Sequence, residues 1–184
     1  MQRESSSSKF PLGLALPTFK LPNVDGRTIG DEYLRGAKAA LVVFTCNHCP
    51  YVKGSEQSLV SIVRRFEPAG LRVVAISAND ATQYPEDSFE KMKEKSQSMK
   101  LPWPYLYDEQ QNVAKLFDAA CTPECYLFNA KGLLVYHGTI NNSPKDPAAA
   151  TVDYLSPAIS QCLESGRCSP DYVHPIGCSI KWKV

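Results

Sequence analysis

The chain has 184 residues, of which 43% are hydrophobic, and its 20 basic and 19 acidic residues leave a formal charge of +1. This length predicts one domain that buries about 70% of the surface of its unfolded chain, without any need for disulfide bonds. The charge balance gives no net field that would attract nucleic acid or an anionic membrane, so neither is expected as a partner.

The N-terminal segment, residues 1–11, is polar and serine-rich, and we expect a flexible leader there. The apolar patch that follows, residues 12–16, contains a glycine and ends before Pro17. It is too short for a signal peptide or a membrane span. Seven cysteines, an odd number, are typical of a reducing compartment. We therefore expect a cytoplasmic protein.

A β-hairpin is the first predicted element, formed by residues 18–21 and 27–29, because Asp25-Gly26 between them favours a tight turn. The run Ala39–Thr45 is almost continuously apolar and predicts a central strand covered on both faces. A helix is predicted to follow, because apolar residues recur at spacings of three and four as far as Phe66.

A second buried strand is predicted over residues 71–77, which completes a βαβ unit with two parallel strands. Pro85, Glu86 and Asp87 occur in the order that is typical of a helix first turn. The lysine-rich segment after them is predicted to continue this helix to Met99, with its four lysines facing water.

The remaining segments predict shorter elements: an extended edge at residues 101–107, a short helix at 112–117, a hairpin of 124–128 with 133–137, and a last helix at 152–163. No internal boundary interrupts them, so we predict one domain over residues 12–165. Residues 166–184 have no periodicity, and we expect a tail that packs on or near the domain.

Two cysteines, Cys46 and Cys49, lie three positions apart where the central strand gives way to the helix. Unpaired N–H groups and the macrodipole at a helix start favour a thiolate, and His48 between the cysteines can add positive charge. Such surroundings lower a cysteine pKa from about 8.5 to roughly 3.5–7.5. The pattern predicts a reactive dithiol.

The order of this motif and of Thr122-Pro123, which precedes the second hairpin, resembles the thioredoxin superfamily. Further matching segments are residues 44–53 (Phe-Thr-Cys-Asn-His-Cys-Pro-Tyr-Val-Lys), Asn79-Asp80, residues 84–88 (Tyr-Pro-Glu-Asp-Ser), residues 104–108 (Pro-Tyr-Leu-Tyr-Asp), Cys121 and residues 176–183 (Ile-Gly-Cys-Ser-Ile-Lys-Trp-Lys). Together they resemble the peroxiredoxin-like thioredoxin-family proteins, which are related to the alkyl hydroperoxide reductase/thiol-specific antioxidant (redoxin) class.

The resemblance implies an α/β thioredoxin fold: a central mixed β-sheet flanked by helices, with an N-terminal β-hairpin and an extended C-terminal tail. It also implies that Pro123 is a cis proline against the dithiol, which presents the backbone of Thr122 to a substrate thiol. One departure is residues 138–144, where Asn141 and Asn142 stand in place of an expected Asp-Asp pair followed by an arginine.

Our first hypothesis for the function is thiol–disulfide exchange with a protein or small-molecule disulfide. Cys46, expected to be the more exposed cysteine, attacks as a thiolate that His48 stabilises, and Cys49 resolves the mixed disulfide. A thiol reductant would then restore the dithiol. No cofactor is expected, and the oligomeric state is left open.

The second hypothesis is a thiol-dependent peroxidase. Peroxiredoxins carry Thr-x-x-Cys at this turn, so the resemblance places Cys49 at the peroxidatic position, and Cys46 would resolve its sulfenic acid. The segment from Pro123 to His137 lacks the arginine that such enzymes use beside the thiolate. We therefore rank disulfide exchange first.

The third hypothesis is a metal-binding module, with two ligands from Cys46 and Cys49 and others from Cys121, Cys125, His137 or Cys178. The sequence has no second Cys-x-x-Cys, so this spacing is weak evidence. Cys121 and Cys178 are also candidate accessory thiols, since the resemblance includes both.

Overall fold

The computed structural model describes residues 10–184, so predictions for residues 1–9 lie outside it. Its strands are β1 (Lys20–Pro22), β2 (Thr28–Gly30), β3 (Ala39–Thr45), β4 (Leu71–Ser77), β5 (Tyr105–Tyr107), β6 (Cys121–Thr122), β7 (Glu124–Asn129), β8 (Leu134–Gly138), β9 (Tyr172–Val173) and β10 (Cys178–Ser179). Its helices are α1 (Pro50–Phe66), α2 (Phe89–Met99), α3 (Asn112–Leu116) and α4 (Leu155–Ser165). None of these helices is long and apolar enough to cross a membrane.

Six strands form one mixed sheet in the order β5-β4-β3-β7-β8-β9. At its centre β3 runs parallel to β4 and antiparallel to β7, and every residue of β3 is buried, as its apolar sequence predicts. The unit β3-α1-β4 is the predicted βαβ unit. The α/β fold with a central mixed sheet is therefore confirmed.

Both faces of the sheet are covered, because alternate side chains of β3 point in opposite directions. Val42 and Phe44 belong to a core shared with α3 and with the N-terminal hairpin, β1 and β2. Leu41 and Val43 belong to a core shared with α1, α2 and α4. The predicted N-terminal hairpin is confirmed, since β1 and β2 pair antiparallel.

The segment 85–99 is not the single predicted helix. Pro85–Asp87 forms a separate 3-10 turn, and α2 starts after Ser88, whose extended backbone and side-chain oxygen cap the helix at the N–H of Lys91. Because the chain breaks here, Asp87 turns inward and is completely buried.

The C-terminal segment packs on the domain. Strand β9 joins the edge of the sheet beside β8, and β10 pairs antiparallel with β6. Ile180 is buried in the same core as Phe44. The last helix, α4, begins at Leu155, three residues after its predicted start, and the N–H of Ser156 in its first turn donates to the Asp153 carboxylate.

Candidate active site

The two cysteines lie in the loop between β3 and α1, as predicted. Cys49 directly precedes the helix, and Pro50 is the first helical residue, where a missing N–H costs no hydrogen bond. Cys46 and Cys49 both have 0% exposure. The prediction that Cys46 is the more exposed cysteine is therefore wrong, because the segments around Thr122 and Cys178 pack against the loop.

Thr122 contacts both sulfurs. Its peptide bond to Pro123 is cis, which confirms the expectation for that proline. The Thr122 Oγ1 lies 3.5 Å from Cys46 Sγ, and its carbonyl oxygen lies 3.2 Å from Cys49 Sγ. The fold thus brings together residues that are more than 70 positions apart in the chain.

A buried carboxylate, Asp87, lies on the other side of the dithiol loop. Its oxygens accept hydrogen bonds from the N–H groups of Asn47 (2.7 Å) and His48 (3.1 Å), and from the side-chain amide of Asn79 (2.8 Å). Sequence reasoning missed this residue, because Pro85-Glu86-Asp87 resembles a solvated helix start. The only signal for it was the inclusion of residues 84–88 in the family resemblance.

His48 pairs with this carboxylate. Its Nδ1 is 2.5 Å from Asp87 Oδ2, and its ring stacks on Tyr84 with a centroid separation of 5.3 Å. This hydrogen bond holds the imidazole against the carboxylate that lies beside Cys46. The expectation that His48 stabilises a thiolate at Cys46 stays a prediction.

The environments of the two thiols place the negative charge on Cys49. Its pKa is lowered by a hydrogen bond from the thiol of Cys46, against the effect of burial, and further by donors from Cys178, Thr122 and the Val52 N–H. The Thr122 carbonyl can accept a hydrogen bond from Cys49 only while that thiol is protonated, so this contact works against ionisation. The four donors, which favour the thiolate, outweigh this single acceptor.

Cys46 has the opposite balance. Its pKa is raised because it donates its proton to Cys49, because it is buried, and because the negative charge of Asp87 is close. When the pair holds a single proton, that proton therefore belongs to Cys46. These opposite pKa shifts favour a thiol at Cys46 and a thiolate at Cys49.

A buried ion pair supports the loop from α1 and α2. Lys95 Nζ lies 2.9 Å from Glu56 Oε1, with only 13% and 8% of the two side chains exposed, and it donates to the Cys46 carbonyl at 3.3 Å. Burial raises the pKa of Glu56, and the charge of Lys95 opposes this shift. The expectation that all four lysines of this segment face water is wrong for Lys95, because α2 packs this residue against α1.

The C-terminal segment completes the site. Cys178 lies opposite Thr122 in the pairing of β10 with β6, and its side chain packs against the cluster of Cys46, Cys49 and Val52. Asn79, predicted to lie in a loop near the site, accepts a hydrogen bond from the Lys181 N–H at 2.9 Å. The structure therefore places Cys178 in the site.

Cys121 and Cys125 are buried next to Glu124. Burial and the negative charge of Glu124 raise the pKa of both thiols, so neither is a ready nucleophile. Burial alone would raise the pKa of Glu124, but it is lowered overall by the hydrogen bond and charge of His137, whose Nε2 is 2.6 Å away. His137 is thus paired with Glu124, which is a structural role.

One group of possible metal ligands occurs within residues 10–184: Cys46, His48 and Asp87, whose ligand atoms lie within 4.8 Å of one another. Two of its members, His48 and Asp87, are already hydrogen-bonded to each other. Cys121, Cys125, His137 and Cys178, considered as further ligands, are not part of this group.

Comparison with known proteins places the chain in a family. Residues 12–137 match the AhpC/TSA family. The chain belongs to the AhpC/TSA family. Peroxiredoxin Q, chloroplastic, of Oryza sativa subsp. japonica is 25% identical over 135 residues, which are 70% of this chain and 58% of that protein. The chain therefore spans little more than half the length of this curated relative.

Solved structures similar to this AhpC/TSA-family chain extend over nearly all of it. An uncharacterized conserved protein from Geobacillus kaustophilus is 44% identical, with a TM-score of 0.88 and coverage of 96% of this chain and 95% of that one. A hypothetical protein from Sinorhizobium meliloti is 33% identical, with a TM-score of 0.89 and coverage of 95% and 96%.

The thioredoxin fold itself is confirmed by a more distant likeness. The thioredoxin domain of a thiol-disulfide oxidoreductase from Bacteroides vulgatus has a TM-score of 0.61 at 17% identity, and the match covers 73% of this chain and 93% of that one. The chain is a peroxiredoxin-like member of the thioredoxin family, as its motifs predicted.

The departure at residues 138–144 leaves amides where carboxylates were expected. Asn141 accepts a hydrogen bond from the N–H of Ser143, and Asn142 accepts from the N–H groups of Thr151 and Val152. These amides therefore hold their own loop together. The cations whose charges act on Cys178 at the thiol cluster are lysines, Lys181 and Lys145.

Proposed function

We propose that this AhpC/TSA-family chain is a thiol–disulfide oxidoreductase in which Cys46 and Cys49 alternate between a dithiol and a disulfide. The observation that carries the proposal is the packing of Cys46 and Cys49 in one buried cluster, with both sulfurs in contact with Thr122 beside its cis peptide bond to Pro123. A thiolate next to a second thiol is the arrangement from which an intramolecular disulfide closes.

In this reaction the Cys49 thiolate attacks one sulfur of a substrate disulfide. A mixed disulfide forms, and the other substrate sulfur leaves as a thiolate that takes up a proton. Cys46 then loses its proton and attacks Cys49 Sγ, which releases the second substrate thiol and leaves a Cys46–Cys49 disulfide. The order differs from our first hypothesis, in which Cys46 attacks first, because the interaction with Cys49, burial and the charge of Asp87 all raise the pKa of Cys46.

Thr122 has a positioning role in this proposal. Its hydroxyl contacts Cys46 and its carbonyl contacts Cys49. If either cysteine side chain rotates, its contact with Thr122 therefore changes. His48 holds the Asp87 carboxylate in place beside Cys46 through its hydrogen bond. A thiol reductant closes the cycle by reducing the disulfide.

A second candidate function, a thiol peroxidase, is favoured by the lowered pKa of Cys49 and by the likeness to peroxiredoxin Q. Here the Cys49 thiolate attacks a peroxide oxygen and becomes a sulfenic acid, while the other oxygen leaves as water or an alcohol. Cys46 then condenses with it and expels water. Both candidates end in the same Cys46–Cys49 disulfide.

The deciding experiment is a matched pair of turnover assays, insulin disulfide reduction and hydrogen peroxide reduction, each supplied with dithiothreitol. We expect insulin reduction by the wild type and a loss of about 100-fold or more in Cys46→Ser and in Cys49→Ser. Cys168→Ser changes a half-buried thiol outside the site and serves as the control.

Other outcomes would replace the proposal. Peroxide consumption that Cys49→Ser abolishes and Cys46→Ser leaves intact, together with no insulin reduction, would make the protein a peroxidase. Inactivity in both assays, with about one equivalent of zinc in protein purified without chelator, would favour the metal-binding module. We further propose a reducing compartment such as the cytoplasm, in which all seven cysteines stay free thiols.

A further inference from the structure

The C-terminal segment lies across the dithiol with its backbone in close contact with β6. Strand β10 pairs antiparallel with β6, so that Cys178 faces Thr122 and Ser179 faces Cys121. At Gly177 an added Cβ would lie 2.2 Å from the Thr122 carbonyl oxygen. Only a glycine allows this approach, so the segment is built to dock directly against the cis-proline loop.

Contacts on both sides of Cys178 hold the segment in place. On one side β9 pairs with β8, and the His137 N–H donates to the Asp171 carbonyl at 3.0 Å. On the other side the Ile180 N–H donates to the Ala120 carbonyl at 3.0 Å. The sulfur of Cys178 is thus fixed over the dithiol by two anchors.

The three sulfurs differ in their access to solvent. Cys46 and Cys49 are completely buried, whereas Cys178 is only half-buried. The side chain of Cys178 packs against the cluster that contains Cys46 and Cys49. A reagent in solution therefore reaches Cys178 first, and Cys178 in turn touches Cys49.

We propose that Cys178 is a third exchanging thiol, which transfers oxidation from the buried Cys46–Cys49 disulfide to the protein surface. This rests on the thiol–disulfide function proposed above. Cys178 loses its proton and attacks Cys49 Sγ. The Cys49–Cys178 bond forms as the Cys46–Cys49 bond breaks, and Cys46 leaves with the electron pair and takes up a proton. No external oxidant or reductant is consumed in this step.

Reduction then takes place at the half-buried sulfur. A small thiol attacks Cys178 in the Cys49–Cys178 bond, and Cys49 leaves as the favoured thiolate. The first small thiol is now bound to Cys178 as a mixed disulfide. A second small thiol attacks the sulfur of the first and releases Cys178, so that the two small thiols leave as one disulfide. Burial, followed by contact with Cys49, raises the pKa of Cys178 to about 11, and the charges of Lys181 and Lys145 work against this rise.

The first test uses Cys46→Ser, which leaves Cys49 and Cys178 as neighbours. The variant is oxidised with one equivalent of diamide, and its disulfides are mapped by mass spectrometry under non-reducing conditions. We expect a Cys49–Cys178 bond in most of the protein. An unpaired Cys49, or a bond from Cys49 to Cys121, would overturn the proposal.

The second test measures how fast glutathione reduces the oxidised protein, with acid quenching and alkylation of the freed thiols. Cys178→Ser should be reduced about tenfold more slowly than the wild type or the control Cys168→Ser. An equal or faster rate would overturn the relay. Cys178→Ala serves as a second variant if the serine variant does not fold.

The two proposals can fail separately. Absence of a Cys46–Cys49 disulfide in the oxidised wild type would refute the proposed function. A normal Cys46–Cys49 disulfide, formed and reduced at the wild-type rate in Cys178→Ser, would leave that function intact and refute only the role of Cys178.

Discussion

Asp87 Oδ2 lies 2.5 Å from His48 Nδ1, and the charge of the same carboxylate acts on Cys46. The carboxylate is completely buried and also accepts hydrogen bonds from Asn47 and Asn79. It therefore fixes a negative charge on the Cys46 side of the dithiol. This charge raises the pKa of Cys46, in addition to the larger effects of Cys49 and of burial.

Replacing Asp87 with asparagine should lower the pKa of Cys46. The change is best measured in Cys49→Ser, where Cys46 is the only thiol of the motif. A unit charge within 4.8 Å is worth a few kcal/mol at an effective dielectric constant of about 20, so we expect a shift of about one pKa unit or more. The measurement is the pH dependence of iodoacetamide labelling at Cys46.

The control for this prediction is His48→Ala in the same background. It removes the hydrogen bond from His48 to Asp87 but keeps the carboxylate, so the labelling midpoint of Cys46 should not fall as it does in Asp87→Asn. If the midpoint is the same with and without Asp87→Asn, the carboxylate does not control ionisation of the dithiol.

The stability of the reduced protein should depend on pH through Cys49. Because the folded-state pKa of Cys49 lies below the ordinary value near 8.5, its contribution is present above that value and is lost as the pH falls through the folded pKa. The slope reaches about 1.4 kcal/mol per pH unit in this window. Above about 8.5 the sign reverses, because the pKa of Cys46 is raised in the folded state.

Urea unfolding of the reduced protein between about pH 6 and pH 8 checks this linkage. The free energy of unfolding of the wild type should rise more steeply with pH than that of Cys49→Ser. Parallel curves for the two proteins would mean that Cys49 carries no stabilised thiolate.

Lys95→Met should destabilise the fold, because it leaves Glu56 buried without a countercharge. Loss of one partner of a buried pair costs about 3–5 kcal/mol of unfolding free energy. The deficit should shrink at acidic pH, where the raised pKa of Glu56 allows it to be neutral. The double variant Glu56→Gln with Lys95→Met should recover most of the loss in urea unfolding. If Lys95→Met alone is as stable as the wild type, the ion pair of Lys95 and Glu56 is solvated.

Gly177→Ala should displace β10 from β6, since the new Cβ would clash with the Thr122 carbonyl. We expect a loss of about 1–3 kcal/mol in unfolding free energy and roughly tenfold faster alkylation of Cys49. Ser179→Ala, a change at an exposed neighbour, is the matched control and should alter neither quantity. If Cys49 is alkylated in Gly177→Ala at the wild-type rate, the C-terminal segment does not shield Cys49 from reagents in solution.

Most of the fold could be predicted from local sequence. The apolar run Ala39–Thr45, the helical spacing up to Phe66 and the turn at Asp25-Gly26 each produced the expected element. These signals are local because side-chain periodicity and turn preference depend on neighbouring residues. One boundary that differed, the start of α2, is set by the side-chain cap at Ser88.

The surroundings of the dithiol were much less predictable. Asp87 and Lys95 have the sequence context of a solvated helix, yet both are buried against the Cys46 loop. The C-terminal segment has no periodicity, because it packs through short strands and single anchors such as Ile180. Residues that become neighbours only after folding leave no periodic pattern in the chain.

The sequence by itself determined that a dithiol lies where a buried strand meets a helix, and that Thr122-Pro123 belongs to the same family pattern. Which sulfur carries the charge was decided only by the tertiary structure, because the pKa values of Cys46 and Cys49 depend on their contact with each other, on burial, and on neighbours such as Asp87 and Cys178. The tertiary structure also buried both sulfurs and left Cys178 as the thiol nearest to solvent. Ionisation and access are properties of three-dimensional surroundings, and local sequence does not encode them.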